Sequence, residues 1–388
     1  MGNNNKLLGF HRSNHIFGIR NHIIIMPTVN CAHPLMSRIA DGTSGVIPIF
    51  HQHGCGHIGD DREQVIRTLA GIGNNPNVGG VLLIGLGCEN VEVDEVFDRL
   101  HKSNKPVEKL VIQSVGDIGE LIRLGKEYIA KIKLVVDNQI REEFDISRLV
   151  VGVECGASDS FSGITANPAV GLVSDRLVGL GATVILSEVP ELIGAEQLLL
   201  KRIPNKEHQA RLLSKTRHYI DMASSLGKDL LGTNPTPGNI RGGITTIEEK
   251  ALGAVAKGGS SQVNEVVGYA ETPSEKGLVI MDTPGNDPES LTGMVAGGAH
   301  LILFTTGLGT PLGYPIVPVI KISSNSETFS KMRSFIDLDA GGILKGQSVS
   351  EVSDEIFQSI IDVVRGGKTA SESWSSGEIA INRIAPTF

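Results

Sequence analysis

Aromatic side chains are scarce in this 388-residue chain: 4% of residues, with one tryptophan and four tyrosines. So few rings argue against an aromatic-lined binding surface. Long apolar runs are missing too, since none approaches the ~18–20 residues a membrane-spanning helix needs. The opening MGNNNKLLGFHRSNH has no apolar signal core, and Lys6 stands where myristoylation favours Ser or Thr. Only four cysteines occur, too few for a dense disulfide framework. Lys+Arg 35 against Asp+Glu 43 gives a net charge of −8, which argues against a broad positive surface for nucleic acid. The expectation is a cytoplasmic protein with reduced thiols and neither membrane nor nucleic-acid partner. Nucleotide and serine-hydrolase signatures are absent: no GxGxxG follows the first strand-like run, and no GxxxxGK[ST] or GxSxG occurs.

Glycine is what the chain has in excess, 47 of 388 residues against a typical ~7%, as expected for many tight loops where backbone approaches ligand. Short continuous apolar runs predict strands at 22–29, 45–50, 79–86, 108–113, 149–154, 182–188, 277–282, 301–306 and 317–323. Unbroken rather than alternating hydrophobicity is the mark of parallel strands covered on both faces. Helical spacing recurs from Asp60 onward and over 116–133, 167–180, 207–226 and 351–366. Strand–helix alternation gives an α/β fold. DNQIREEFDIS interrupts two well-patterned halves and sets a boundary near 135–148, while LGTNPTPGNIRGG (231–243) reads as a linker or a functional loop. No internal repeat is visible.

Each cysteine ends or closely follows an apolar run: Cys31, Cys55, Cys88 and Cys155. Ligands of open α/β sheets bind beyond the carboxyl ends of strands, so four thiols delivered there can converge. Their spacing matches no local metal motif, and cysteine is also an ordinary buried hydrophobe. His51-Gln-His53-Gly-Cys55-Gly-His57 adds three imidazoles, donors that suit zinc or iron; solvated loop histidines are the plainer reading. Cys88-Glu89-Asn90 and Glu154-Cys155 through Asp159 each join a strand to a helical pattern. There, either anion binding by free amides or simple capping is in order. Asp282–Asp287, Thr305–Thr310 and Lys321–Asn325 are further polar strand-end loops, suited to a small, hydroxylated, anionic ligand.

Taken together, GIRN (18–21), PTVNCA (27–32), HQHGCGHIGDD (51–61), GLGCEN (85–90), ECGASDSFSGITANPAVG (154–171), SEVPELIGAEQ (187–197), NPTPGN (234–239), GGITTIEEKALG (242–253), TPGND (283–287), LFTTGLGTPLG (303–313) and KISSN (321–325) resemble the altronate/galactarate dehydratase family. The likeness runs from about residue 8 to the C-terminal RIAPTF. It implies an N-terminal α/β dimerisation domain over 1–147, followed by a Rossmann-like α/β domain over 148–388. A small β-clip (SAF) domain, which single-chain members carry ahead of residue 8, is expected on a separate subunit, beside a homodimer of this chain. The family's RxDGRxGxRN reads RSNHIFGIRN here, with Asn14-His15 in place of Asp-Gly.

The resemblance implies dehydration of a sugar acid, D-altronate to 2-dehydro-3-deoxy-D-gluconate or the analogous galactarate reaction. (2R)-Sulfolactate sulfo-lyase β subunits are the near alternative. Fe2+ is the expected activator, with an iron–sulfur cluster or Mn2+ as alternatives. Removing a proton α to a carboxylate builds charge that a divalent cation can stabilise, while a base takes the proton and an acid helps β-hydroxide leave. Combined with strand-end placement, the resemblance assigns His51, Cys55, Cys88 and Cys155 as iron ligands, Cys31 being a fourth thiol that permits a cluster. It assigns Glu89, Asp159 and Glu188 to acid–base work, and Asn167, Asn239, Asn286, Asp287 and Lys321 to the substrate. A non-catalytic subunit that binds a sugar acid is the reading from another class.

Overall fold

The computed structural model describes residues 6–13, 16–101, 104–230 and 233–388; Asn14-His15 and residues 231–232 of the Pro/Gly-rich loop lie outside them. All nine expected strands form, and they sort into two parallel sheets. The first has four strands in the order Val46–Pro48, His22–Pro27, Val78–Gly85, Val107–Val111. The second has seven, in the order Val263–Val267, Gly277–Met281, Thr183–Leu186, Val150–Gly156, Leu301–Thr306, Val319–Ser323, Leu338–Asp339. Every residue of Val78–Gly85 and of Leu301–Thr306 is buried, which is why these runs carry no polar alternation. The molecule is therefore α/β with a Rossmann-like parallel-sheet domain.

The 135–148 stretch is more than an interruption. Arg141–Asp145 is a strand, pairing antiparallel with Lys6–His11, which pairs in turn with Phe17–Gly18. Phe144 alone of REEFD is buried. Helix Gly59–Asn74, with Asp60 and Asp61 in its first turn, packs Val65, Ile66, Leu69 and Ile72 into one core with Leu291, Met294 and Val295 of helix Asp287–Ala296. Gly71 makes that approach possible: a Cβ there would lie 2.4 Å from Ala296 O. No helix among the described residues is long and apolar enough to cross a membrane.

In each parallel sheet the first strand of the chain is central and its successors lie on opposite sides of it. His22–Pro27 lies between Val46–Pro48 and Val78–Gly85, and Val150–Gly156 between Thr183–Leu186 and Leu301–Thr306. Two topological switch points result, and their carboxyl-end crevices are the ligand-binding places of such sheets.

Candidate active site

The crevice of the seven-stranded sheet receives Glu154 and Cys155 directly from the central strand. Strand Thr183–Leu186 ends in Ser187 and Glu188, and Glu191 follows in the next short helical turn. Glu188 adopts a left-handed backbone, φ 64°, a conformation that costs a non-glycine residue of order 1–3 kcal/mol and clusters at functional sites. Its Oε2 accepts from the Cys155 amide at 2.9 Å and from Lys257 Nζ at 2.8 Å. The Cys155 thiol donates to Glu191 Oε2 at 3.1 Å, and Lys250 Nζ lies 2.5 Å from Glu191 Oε1. Glu154 Oε2 accepts from Ser187 and Ser290 hydroxyls at 2.6 and 2.7 Å. Glu154 Oε1 and Glu188 Oε1 are buried without a hydrogen-bond partner.

Four carboxyl groups, Glu154, Glu188, Glu191 and Asp287, thus crowd against two ammonium groups. Burial, reinforced by Glu188, pushes Glu154 well above the usual carboxyl range and raises Glu191. The same causes push Asp287 up to about 7. Burial and then Glu188 and Glu191 raise the Cys155 thiol. For Lys250 and Lys257 burial works downward, but the surrounding acidic groups outweigh it and hold both above the ordinary lysine value. Two sets of ligand atoms lie within 4.8 Å of one another: Cys155, Glu188 and Glu191, and Glu154, Glu188 and Asp287. Two residues of the second set, Glu154 and Glu188, also carry the unpartnered oxygens, so a cation fits this set. Its donors are all hard oxygens, which suit Mg2+, Ca2+ or Mn2+.

A cavity of about 240 Å³ opens beside this cluster, lined by Cys155, Ser158, Asp159, Asn167 and Lys250 among others. Ser158 Oγ is buried without a partner. Asn167 spans Gly253 O and Thr305 Oγ1. Asp159 is an anchor, receiving Ser162 N–H and O–H, Ser324 O–H and Asn325 Nδ2–H. Asn239 comes from the Pro/Gly-rich loop, whose residues Pro237–Arg241 form a short helix capped by Thr236; its Oδ1 accepts from Lys250 Nζ at 3.1 Å. Asn286 is exposed at the start of helix Asp287–Ala296. Lys321 is fully buried and donates to Leu312 O at 2.8 Å, and burial lowers its pKa to about 8. A larger cleft, about 810 Å³, lies at the opposite, amino-terminal ends of the strands, around Ser147–Val150 and Thr183.

The four sequence-assigned iron ligands do not assemble as a set. Cys155 belongs to the seven-stranded sheet, whereas His51, Cys55 and Cys88 sit at the carboxyl end of the four-stranded one. No three of the four bring ligand atoms within 4.8 Å of one another. His51 has both ring nitrogens engaged: Nε2–H donates to Pro27 O at 2.7 Å and Nδ1 accepts from His53 N–H at 3.2 Å. Burial lowers its pKa to about 4, so it is a neutral, satisfied core histidine. Glu89 is likewise internal to this half, accepting from Thr28 Oγ1 and the Leu86 and Gly87 amides.

Residues 146–387 match the sequence model of the C-terminal part of D-galactarate/altronate dehydratases. Residues 9–135 match that of the second domain of D-galactarate dehydratase/altronate hydrolase. The chain belongs to the D-galactarate/altronate dehydratase family. It is 36% identical to an altronate dehydratase of Escherichia coli K12, over 98% of this chain and 78% of that protein. Identity to the altronate dehydratase of Bacillus subtilis 168 is 37%, over 99% and 79%. The β subunit of a Chromohalobacter salexigens (2R)-sulfolactate sulfo-lyase is 35% identical over 97% of both chains. Identities this close do not choose between substrates.

Within this dehydratase family member, Cys155, Glu188 and Asp287 are sequence-assigned residues that the fold brings together. Glu154 opens the strand-end stretch read from the sequence but has no role assigned there, and Glu191, Lys250 and Lys257 have none either. Glu154 carried one signal: an acid inside a buried parallel strand must find a partner. Lys250 and Lys257 carried another, two lysines seven residues apart flanking the apolar run ALGAVA.

Proposed function

We propose that this chain, a hydro-lyase, is a sugar-acid dehydratase that converts D-altronate to 2-dehydro-3-deoxy-D-gluconate. The observation that carries the reading is the buried cluster at the switch point, where Lys250 and Glu191 lie beside a cation-ready carboxylate set, and where Lys250 and Cys155 also line the adjoining cavity. Lys250 Nζ at the cavity wall receives the substrate carboxylate and holds the charge that develops as the α-proton leaves. Ser158 Oγ and Asn167 orient hydroxyls. Glu191 takes the α-proton, its basicity raised by burial and by Glu188. Glu154, Glu188 and Asp287 would hold a divalent ion, and their oxygen donors suit Mn2+. Bound there, the ion supplies Lewis-acid polarisation of a substrate oxygen.

The chain acts with a small partner subunit, a reading supported by its end-to-end match to a protein named as a β subunit. It also pairs with a second copy through the N-terminal unit, where Ile118, Leu134, Val135 and Ile140 are exposed. Four free cysteines support a reducing, cytoplasmic setting. Anaerobic assay of the purified chain, with and without the small partner, against altronate, galactarate and sulfolactate tests the reading. A 2-keto-3-deoxy acid from altronate is expected. Sulfite from sulfolactate, or no turnover of any of the three with the partner present, overturns it. Mn2+ at 100 times its dissociation constant should stabilise the chain by about 2.7 kcal/mol, and Asp287→Asn should abolish that gain.

A further inference from the structure

The second switch point carries chemistry that the proposed reaction does not use. The loops that follow its three adjacent strands, Val46–Pro48, His22–Pro27 and Val78–Gly85, carry Cys55, Cys31 and Cys88 respectively. All three thiols are free and exposed, although unpaired cysteine is among the most buried of residue types. The loops press on one another. Asn30 N–H donates to His53 O at 3.0 Å, Val91 N–H to Gly54 O at 3.1 Å, and Thr28 Oγ1 to Glu89 Oε1 at 2.7 Å. Gly54 is required for this closeness: its φ is 131°, and a Cβ would stand 2.4 Å from Val29 Cα. Gly56 and Gly87, at φ 72° and 114°, flank Cys55 and Cys88 and turn each loop with backbone that favours glycine.

A single ion is a poor match for this thiol set. No three donor atoms here lie within 4.8 Å of one another, and a tetrahedral zinc needs four donors close about it. The neighbouring imidazoles do not complete such a site. His51 is engaged at both nitrogens, and so is His57, whose Nδ1–H donates to Asp61 Oδ2 while Nε2 accepts from Gly54 N–H. A cluster spreads its thiolates farther apart than one ion does, and soft thiolate sets select it. Gln113 Nε2 already donates to Cys88 Sγ at 3.3 Å, the kind of contact that tunes cluster potentials.

We infer that Cys31, Cys55 and Cys88 are the three thiolate ligands of an iron–sulfur cluster seated at the carboxyl end of the four-stranded sheet. Each thiol gives up its proton on binding iron. With three protein sulfurs, one iron of a cubane has no protein thiolate and faces the surface. This assignment stands apart from the dehydratase reading and its oxygen-bound cation.

The test is anaerobic reconstitution of the whole chain with ferric iron, sulfide and a thiol reductant. Iron and acid-labile sulfide are then assayed, with visible absorption and EPR after reduction. Expected are about equal amounts of iron and sulfide, a broad visible band, and their loss in each of Cys31→Ser, Cys55→Ser and Cys88→Ser. Cys155→Ser should keep them. Gln113→Leu should keep the cluster and lower its potential, because a hydrogen bond to sulfur favours the reduced form. Iron bound without sulfide, a cluster retained in any of the three serine variants, or its loss in Cys155→Ser overturns the assignment. The sulfide ratio of the unmodified chain decides the matter even if a variant fails to fold.

Discussion

Glu188 holds a left-handed backbone while one oxygen bridges the Cys155 amide and Lys257 and the other has no partner. Glu188→Gln should therefore act twice. Turnover should fall by at least about 100-fold, since the ion site and the base's surroundings change together. Stability should fall by about 3–5 kcal/mol, because a fully buried Lys257 loses its counter-charge; steady-state kinetics and urea unfolding check the two parts. His51 offers a contrast. Its folded pKa, lowered to about 4 by burial, lies below the unfolded value near 6.5. The unfolded chain binds the extra proton first, so the histidine's contribution is full above pH 6.5 and drains away toward pH 4. Against His51→Gln, the native chain's advantage in urea should shrink by up to about 1.4 kcal/mol per pH unit across that window. The Cys155, Glu188 and Asp287 positions were legible because each follows an apolar run. Glu191 and the two lysines were not, since Glu191 pairs with Lys250 across 59 residues and Glu188 with Lys257 across 69. Such distances along the chain leave no local pattern.

At the scale of elements, the strands buried on both faces could be read directly, and each of the nine runs became one. The strands that escaped notice are of another kind. Arg141–Asp145 shows four polar residues around Phe144, and Val263–Val267 is interrupted by Asn264 and Glu265. Periodicity alone does not separate such segments from loops. Helix Gly59–Asn74 illustrates a role that its sequence gives only half of. Asp61, acidic in the first turn, also receives Arg383 Nη2 at 2.9 Å and the Ile384 and Ala385 amides at 2.8 and 3.3 Å. These bonds, with His57, lower its pKa to about 2 despite burial, which works the other way. Asp61→Asn should cost about 1–3 kcal/mol. It should also speed amide hydrogen exchange over residues 381–388 before any other part of the chain, and unchanged exchange there would count against the clamp.

Across the whole molecule, the two parallel sheets share one core through the contact of Gly59–Asn74 with Asp287–Ala296. The cation-ready Asp287 begins the second of these helices, and Gly71 sets how near the first can come. Gly71→Val should cost at least about 1–3 kcal/mol, as overpacked contacts do. It should also split urea unfolding into two steps if this seam is what makes the halves melt together; a single transition with an unchanged slope would place the cooperativity elsewhere.

The last residues cross back over the first half. Ile381 O accepts from His53, Asn382 O from Gln64, and the Phe388 amide donates to Gly56 O. An affinity tag fused after residue 388 would thus emerge beside the loop that bears Cys55, and a histidine-rich one would bring foreign metal donors to those thiols. Tags intended for metal analysis of this protein belong at the other terminus.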